Sequence, residues 1–352
     1  MTVSVKSVHD RTVWDDAVNA LGGHPLQLWG WGRTKAAHRW QVERLQWEQD
    51  GEVIACAQVL IRRLPFPFRS LAYIPRGPAA AAEQVPEFLT AVGAYVAERH
   101  GSVALRIEPD WEADSAYPAA LRAAGFAPSA NTILIPRTLV LDLRQDDDAL
   151  MAAMSKTTRS NVRKALKQDV EYRRVSTAAE FEQVLEIYHS TAERAGFGVY
   201  EDDYYRDLFA NLGDSSPIIV AARGDEVLAF VWLARSATTA FELYSGVAEA
   251  GQKLRVNYGV KWSAFQQMRQ DGCTRYDFNG LLNDGVSDFK KQFARHEDQL
   301  IGTWDRPLSA AYPVFATALP LARTAIQAAR KLLRAAGGIG RSVHGRLLAR
   351  RG

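Results

Sequence analysis

The chain is poor in cysteine, in long apolar runs and, near its C-terminal end, in acid. Its 352 residues include only two cysteines, Cys56 and Cys273, each inside an apolar segment. A disulfide framework therefore drops out, and both read as buried thiols in a reducing compartment. No His/Cys cluster with metal-ligand spacing is present, so a metal centre is not expected. No apolar run reaches the length of about 18 residues that a spanning helix needs. The start, MTVSVKSVHDRTVWDD, lacks the apolar core of a signal peptide, so a cytoplasmic protein is expected. Such a length favours two domains, and 47% hydrophobic with 24% charged residues is ordinary for globular chains.

The missing acid divides the chain. From Arg306 to Gly352 there are nine Lys+Arg and no Asp or Glu, which leaves 34 basic and 40 acidic residues, a net of −6, before it. The stretch Pro307–Ala322 is uncharged but holds three prolines. It is too short and too broken to span a bilayer. Basic residues mixed with Ile326, Leu332, Leu333, Leu347 and Leu348 follow. An apolar segment followed by a basic amphipathic one suits an anionic membrane surface, so a basic helical tail at the inner face of the plasma membrane is expected.

What is present is a duplication. VERLQWEQDGEVIACAQVLI reads as two strands joined by Asp50-Gly51, followed by LAYIPRGPA, a helix VPEFLTAVGAYVAERHG and a strand SVALRIEP. PIIVAARGDEVLAFVWLA, AFELYSGVA, VNYGVKWSAFQQMRQDG and TRYDFNG repeat that order. Tyr73 aligns with Tyr244, Gly101 with Gly272 and Leu105 with Tyr276, each at an offset of 171. Each half also has a helix before its hairpin, around 30–38 and 181–194. The expected class is α+β: two tandem lobes with the N-acetyltransferase (GNAT) order of elements and a cleft between them, a favoured ligand site. The domains are expected at 1–136, 137–306 and 307–352, the last being the tail. GPAAAAEQ and GVAEAGQKLRVNYG are poor versions of a pyrophosphate-cradling turn, which disfavours a CoA donor.

The ordered set LQLWGWGRTKAAHRW, LAYIPRGPA, LRIEPDW, TLVLDL, SKTTRSNVRKALKQDVEY, ELYSG, YDFNG and DFKKQF…LIGTWDRP, over about residues 20–306, resembles the FemABX family of aminoacyl-transferases. These build peptidoglycan cross-bridges from aminoacyl-tRNA. Some carry a coiled-coil arm; no heptad-rich insertion occurs here, so the compact, armless members are the better likeness. The resemblance implies attack by a stem-peptide amine on an aminoacyl ester. That ester is already activated, so no cofactor is implied; the enzyme must align the reactants and stabilise an oxyanion.

The family's Phe-Lys motif maps its oxyanion-stabilising lysine to Lys290, with Lys291 the adjacent alternative. Lys35 matches the first-lobe lysine that holds the acceptor's phosphates, and a compact point charge suits phosphate. Tyr204 matches a tyrosine of the second-lobe clamp, but Tyr200 stands where arginine is expected; Arg206 or a tail arginine could substitute. Tyr244 matches a substrate-contacting tyrosine. Glu108 sits where the family has an acidic residue at a strand end and is the candidate general base; it could equally pair with Arg106. Asp277 and Asn279 are weaker candidates.

At 100° per residue, Lys156, Arg159, Arg163 and Lys167 fall within about 80° of one another on the helical pattern LMAAMSKTTRSNVRKALKQ, opposite Met151, Met154, Val162 and Ala165. This acid-free stripe is the candidate contact for acceptor-stem phosphates of tRNA.

The expected activity is transfer of Gly, Ala or Ser from aminoacyl-tRNA to a peptidoglycan precursor, lipid-linked rather than nucleotide-linked, by a monomer. The alternatives are an acyl-CoA N-acyltransferase on the same fold and a non-catalytic protein binding polyanions at the membrane surface.

Overall fold

The computed structural model describes residues 4–282 and 284–318. Helix α1 (Trp29–Ala37) leads into a hairpin of β1 (Gln41–Gln49) and β2 (Glu52–Arg63). Its turn uses positive φ at both Asp50 (53°) and Gly51 (86°), the backbone that a tight hairpin requires. β3 (Ser70–Pro75) pairs antiparallel with β2. Helix α2 (Val85–His100) crosses over to β4 (Ser102–Glu108), which lies parallel to β3. α2 ends at Gly101, whose left-handed φ of 58° closes the helix.

The second lobe contains β5 (Val140–Asp142), α3 (Lys156–Ala165), β6 (Glu171–Arg174), α4 (Ala178–Ala195) and α5 (Asp202–Leu212). Then the motif of the first lobe recurs. β7 (Ile218–Arg223), β8 (Glu226–Arg235) and β9 (Thr239–Val247) form an antiparallel run. Helix α6 (Val256–Gln270) crosses to β10 (Arg275–Asp277), parallel to β9. Gly272, counterpart of Gly101, also takes a positive φ, 91°. The sheet order is β6-β7-β8-β9-β10-β5.

Each sheet takes in a strand from chain that lies beyond the other lobe's elements. β5, which follows the first lobe in the chain, pairs antiparallel with β10 of the second. β11 (Trp304–Pro307), which follows the second lobe after the short helix α7 (Gly285–Lys290), pairs antiparallel with β4 of the first. This corrects the expected domain limit at 306, because the chain has already returned to the first sheet by Trp304. Arg106 and Asp305, side by side in that register, form a buried double hydrogen bond of 2.7 Å on each arm. Helical residues 312–318 continue onto the first lobe, where Phe315 packs with Leu71, Val103 and Ala104. The rest of the expected tail lies outside the described residues.

The long helix expected across 150–168 is two helices. Asp147–Ala153 ends at Met154, and the Ser155 side chain caps α3 by accepting from the Thr158 amide. A serine at this position offers the backbone an alternative to continued helix. Met154 and Val162 are fully buried, so the apolar side is as expected.

The lobes meet through packed side chains. One apolar core runs from Trp14, Val18, Leu26 and Trp31 to Phe181, Tyr188, Tyr205 and Trp232. At its edge α1 packs on α5 so closely that a Cβ on Gly30 would stand 2.4 Å from the Asn211 carbonyl oxygen. Glycine there lets the two backbones approach, and this approach sets the site.

Candidate functional site

Lys35 projects from the last turn of α1 toward α5 of the other lobe. Its Nζ donates to the Tyr204 hydroxyl at 2.7 Å and lies 4.4 Å from the Trp31 ring centroid and 4.8 Å from that of Tyr204. It has no carboxylate within ion-pair distance among the described residues. Burial pushes its pKa down from 10.5 to about 8. One turn on, His38 reaches Asp207 of α5 at 3.0 Å. Tyr244, on β9, hydrogen-bonds the Tyr204 phenol and stacks among Tyr188, Tyr205 and Trp232. Burial drives the Tyr244 phenol well above its ordinary value, with neighbouring tyrosines adding to it. The predicted residues Lys35, Tyr204 and Tyr244 thus form one chain of contacts across the lobe boundary.

Tyr200 stacks over Tyr204 with centroids 4.3 Å apart and stays 60% exposed, so it lies at the mouth of this cluster. Arg206 does not join it. Its guanidinium is held by Glu182 at 2.8 Å and Asp203 at 3.2 Å on the outer face of α5. The suggestion that Arg206 replaces the missing clamp arginine is therefore corrected: carboxylates already occupy it.

Tyr244 also lines a cavity of about 110 Å³ together with Tyr188, Glu242, Ser245, Val286 and Lys290. The two lysines of DFKKQF separate here. Lys291 turns to Glu297 at 2.9 Å. Lys290 faces the cavity, half-buried, with its Nζ 3.5 Å and 3.4 Å from the carbonyl oxygens of Asn279 and Gly280. Those carbonyls follow β10, where Asp277 accepts from the Thr138 hydroxyl and the Asn279 amide. Phe293 is fully buried against Phe265 and Phe278, and Phe289 packs on Tyr258. The aromatic residues fix the turn, and Lys290 is left with carbonyl dipoles and no anion within 4 Å among the described residues.

Sequence reasoning missed the floor of this cavity. Glu242, 3% exposed, receives both the Lys261 ammonium at 2.5 Å and the Tyr276 hydroxyl at 3.0 Å on one oxygen, Oε2. No donor reaches Oε1 among the described residues. Burial lowers the Lys261 pKa, and Glu242 works against that shift. The alternation of β9 gave no signal for it: a bulge at Leu243 sets Glu242 opposite Leu233 and Tyr244 opposite Trp232, on different faces of the sheet.

A second cavity, about 520 Å³, adjoins the first through Thr191, Ser245 and Val286. β9 and β10 pair only over Thr239–Phe241, so the sheet splays beyond that point. Gly246, Gln252, Asn257, Lys261 and Phe289 line the resulting groove.

Glu108 has another job than the one expected. It is 1% exposed, and its carboxylate accepts from Tyr73 and Thr303 hydroxyls and the Ile133 and Leu134 amides at 2.6–2.8 Å. Two donors sit on each oxygen, leaving none free for an amine proton. Glu108 braces the connection between the lobes. Arg106, its suggested partner, bonds Asp305 instead.

Lys156 and Arg163 on α3 and Lys167 just past its end are exposed and form a shallow basic surface with Ser160 and Lys164. None of these four cations has an ion-pair partner among the described residues. Arg159 differs: its Nη1 donates to the Met154 carbonyl at 2.7 Å and so terminates the preceding helix. The start of α3 touches the lysine turn, where the Ser155 amide donates to the Gln292 carbonyl at 3.3 Å. No group of three or more His, Cys, Asp or Glu arranged to hold a metal exists among the described residues.

Two family models match the chain in series, the FemAB family over residues 17–120 and an acetyltransferase (GNAT) domain over 152–291. A lipid II:glycine glycyltransferase of Staphylococcus saprophyticus is 23% identical over an alignment of 370 positions, covering 82% of this chain and 89% of that enzyme. Among solved structures, FemX superposes with a TM-score of 0.78 at 20% identity, covering 86% of this chain and 97% of FemX. A tandem GNAT protein from the clavulanic acid biosynthesis pathway reaches 0.50 at 10% identity, over 87% and 99% of the two chains. The FemAB family match, the glycyltransferase relative and the two-lobe fold shared with FemX all make the chain similar to the FemABX family.

Proposed function

We propose that the protein transfers an amino acid, glycine, alanine or serine, from aminoacyl-tRNA to the stem-peptide amine of a lipid-linked peptidoglycan precursor. The relative named above acts on lipid II with glycine, which favours that donor and that acceptor. The observation that carries the reading is Lys290: a half-buried ammonium with no carboxylate within 4 Å among the described residues, beside a cavity that also holds Tyr244 and Glu242. An ammonium so placed is available to an oxyanion in a low-dielectric setting, where its effect is greatest.

The acceptor's phosphates meet Lys35, beside Tyr204 and Tyr200. The aminoacyl end of the donor enters the splayed groove toward Lys290, and the α3 surface takes the phosphates behind it. The amine nitrogen attacks the ester carbon, and the carbonyl electrons move to oxygen beside Lys290. The proton released by nitrogen passes to Glu242 Oε1. Collapse then expels the ribose oxygen of the tRNA, which takes up that proton. Incubation with charged tRNAs and with lipid-linked or nucleotide-linked pentapeptide, followed by mass spectrometry of the products, tests this. An acceptor heavier by one amino-acid residue is expected; no mass gain with any tRNA would refute it, and CoA release from an acyl-CoA would point to the alternative chemistry.

A further inference from the structure

The segment joining β2 to β3 reads Leu64-Pro-Phe-Pro-Phe-Arg69 and makes a closed tip. The Leu64 amide donates to the Arg69 carbonyl at 3.1 Å and the Phe68 amide to the Pro65 carbonyl at 3.0 Å. Phe66 crowns it and is 97% exposed, more than any other large apolar side chain among the described residues. A single exposed phenylalanine needs no occupant by itself, so its surroundings decide the reading.

Three features around the tip say what it meets. Arg62, Arg63 and Arg69 surround it, and none has an acidic partner within 4 Å among the described residues. The C-terminal helical residues are rooted at its base, where Phe68 and Phe315 meet edge to face at 5.5 Å, and Val314 on that helix is 60% exposed. From Ala318 the chain continues for 34 residues that contain eight Lys+Arg and no acid. A lone aromatic wedge, flanking arginines and a basic continuation leaving from one corner are complementary to an anionic lipid surface. The corner also communicates with the acceptor site. Arg62 covers the Trp40 ring at 5.4 Å, and the Trp40 amide donates to the Lys35 carbonyl at 3.2 Å.

We propose that the Leu64–Arg69 tip is a membrane-docking element: Phe66 enters the headgroup–acyl boundary of an anionic bilayer while Arg62, Arg63 and Arg69 meet lipid phosphates, with the exposed Val314 face beside it. The proposal gains its purpose from the lipid-linked reading of the acceptor, but it is tested by binding rather than turnover, so the two can fail separately.

Cys56 and Cys273 are both buried, so the full-length Phe66→Cys protein carries a single accessible thiol for an environment-sensitive fluorophore. Vesicles of phosphatidylglycerol and phosphatidylethanolamine are expected to blue-shift the label and to expose it to quenching by shallow spin-labelled lipid, with little response to phosphatidylcholine vesicles. Unlabelled full-length Phe66→Ser should co-sediment with the anionic vesicles about tenfold more weakly and turn over a nucleotide-linked acceptor as well as the parent. A label that stays in water while the protein sediments, or unchanged sedimentation of Phe66→Ser, overturns the proposal. Docking without any aminoacyl transfer would leave it standing and remove the proposed function instead.

Discussion

Replacing Lys35 by methionine should make the folded protein more stable and the enzyme worse. The ammonium sits at the lobe boundary without a carboxylate, and burial holds its pKa at about 8 against an ordinary 10.5. At 1.36 kcal/mol per unit, that depression corresponds to about 3 kcal/mol against the charged form at pH 7. Two cation–π contacts of about 0.5–1 kcal/mol each, with the partial access of water to the side chain, take back roughly half. Methionine keeps the apolar stem, so Lys35→Met should gain about 1–2 kcal/mol at pH 7. The folded pKa is depressed, so the unfolded chain binds more protons between about pH 8 and 10.5. Wild-type stability should therefore rise through that window relative to the variant, closing the gap. Denaturant unfolding of both proteins at pH 7, 9 and 10.5 measures this. The same variant should lose about 10–100-fold in kcat/KM for the phosphorylated acceptor, because one charged contact is removed. In the wild type, acceptor kcat/KM should fall as pH rises past about 8, and Lys35→Arg should abolish that limb. A variant less stable than wild type at pH 7, or a stability difference independent of pH, would refute the reasoning.

Lys290→Met should lower kcat by about 10²–10³-fold with both substrate affinities retained, since the ammonium acts on charge that appears only in the transition state; Lys291→Met, which loses only the contact with Glu297, should change kcat less than about threefold. Glu242→Gln should cost about 10²-fold in kcat at constant KM. Lys261→Met leaves the buried Glu242 carboxylate without its ammonium and should destabilise the fold by about 3–5 kcal/mol in denaturant unfolding; unchanged stability would refute the pair's structural weight. Reversing the charges of Arg163 and Lys167 together should raise KM for aminoacyl-tRNA and reduce its salt dependence by about two ionic contacts, without touching the acceptor KM.

The duplicated order of elements was legible because hairpin turns and helix ends are written locally: Asp50-Gly51, Gly101 and Gly272 each need a backbone that few residues supply. Lys35, Tyr204 and Tyr244 were singled out through the resemblance, and their mutual contacts came only with α1 meeting α5. Three things were not legible. The break at Ser155 interrupts a pattern whose apolar period continues through it, so periodicity alone could not reveal it. Glu108 and Glu242 are both strand glutamates, and only the donors around each tell a saturated brace from a carboxylate with an open oxygen. Arg206 had the right charge in the right region, but three acids on α4 and α5 had already claimed it.

The exchanged strands explain why such a site can be built between lobes at all. Lys35 comes from the first lobe and Lys290 and Tyr244 from the second, so their spacing depends on the lobes keeping a fixed relation. A cleft closed by a hinge would let that spacing vary. Here β5 completes the second sheet after the chain has left the first, and β11 completes the first after it has left the second. Separating the lobes would strip a strand from a sheet and break the buried Arg106–Asp305 pair, which is strongly destabilising. Glu108 tightens the same seam, since its oxygens gather donors from β3, from the connection at 133–134 and from Thr303 just ahead of β11. The carboxylate expected to move a proton instead holds the two lobes in register, which is what places the Lys35 ammonium against Tyr204 and leaves Lys290 facing the same cluster from the far side.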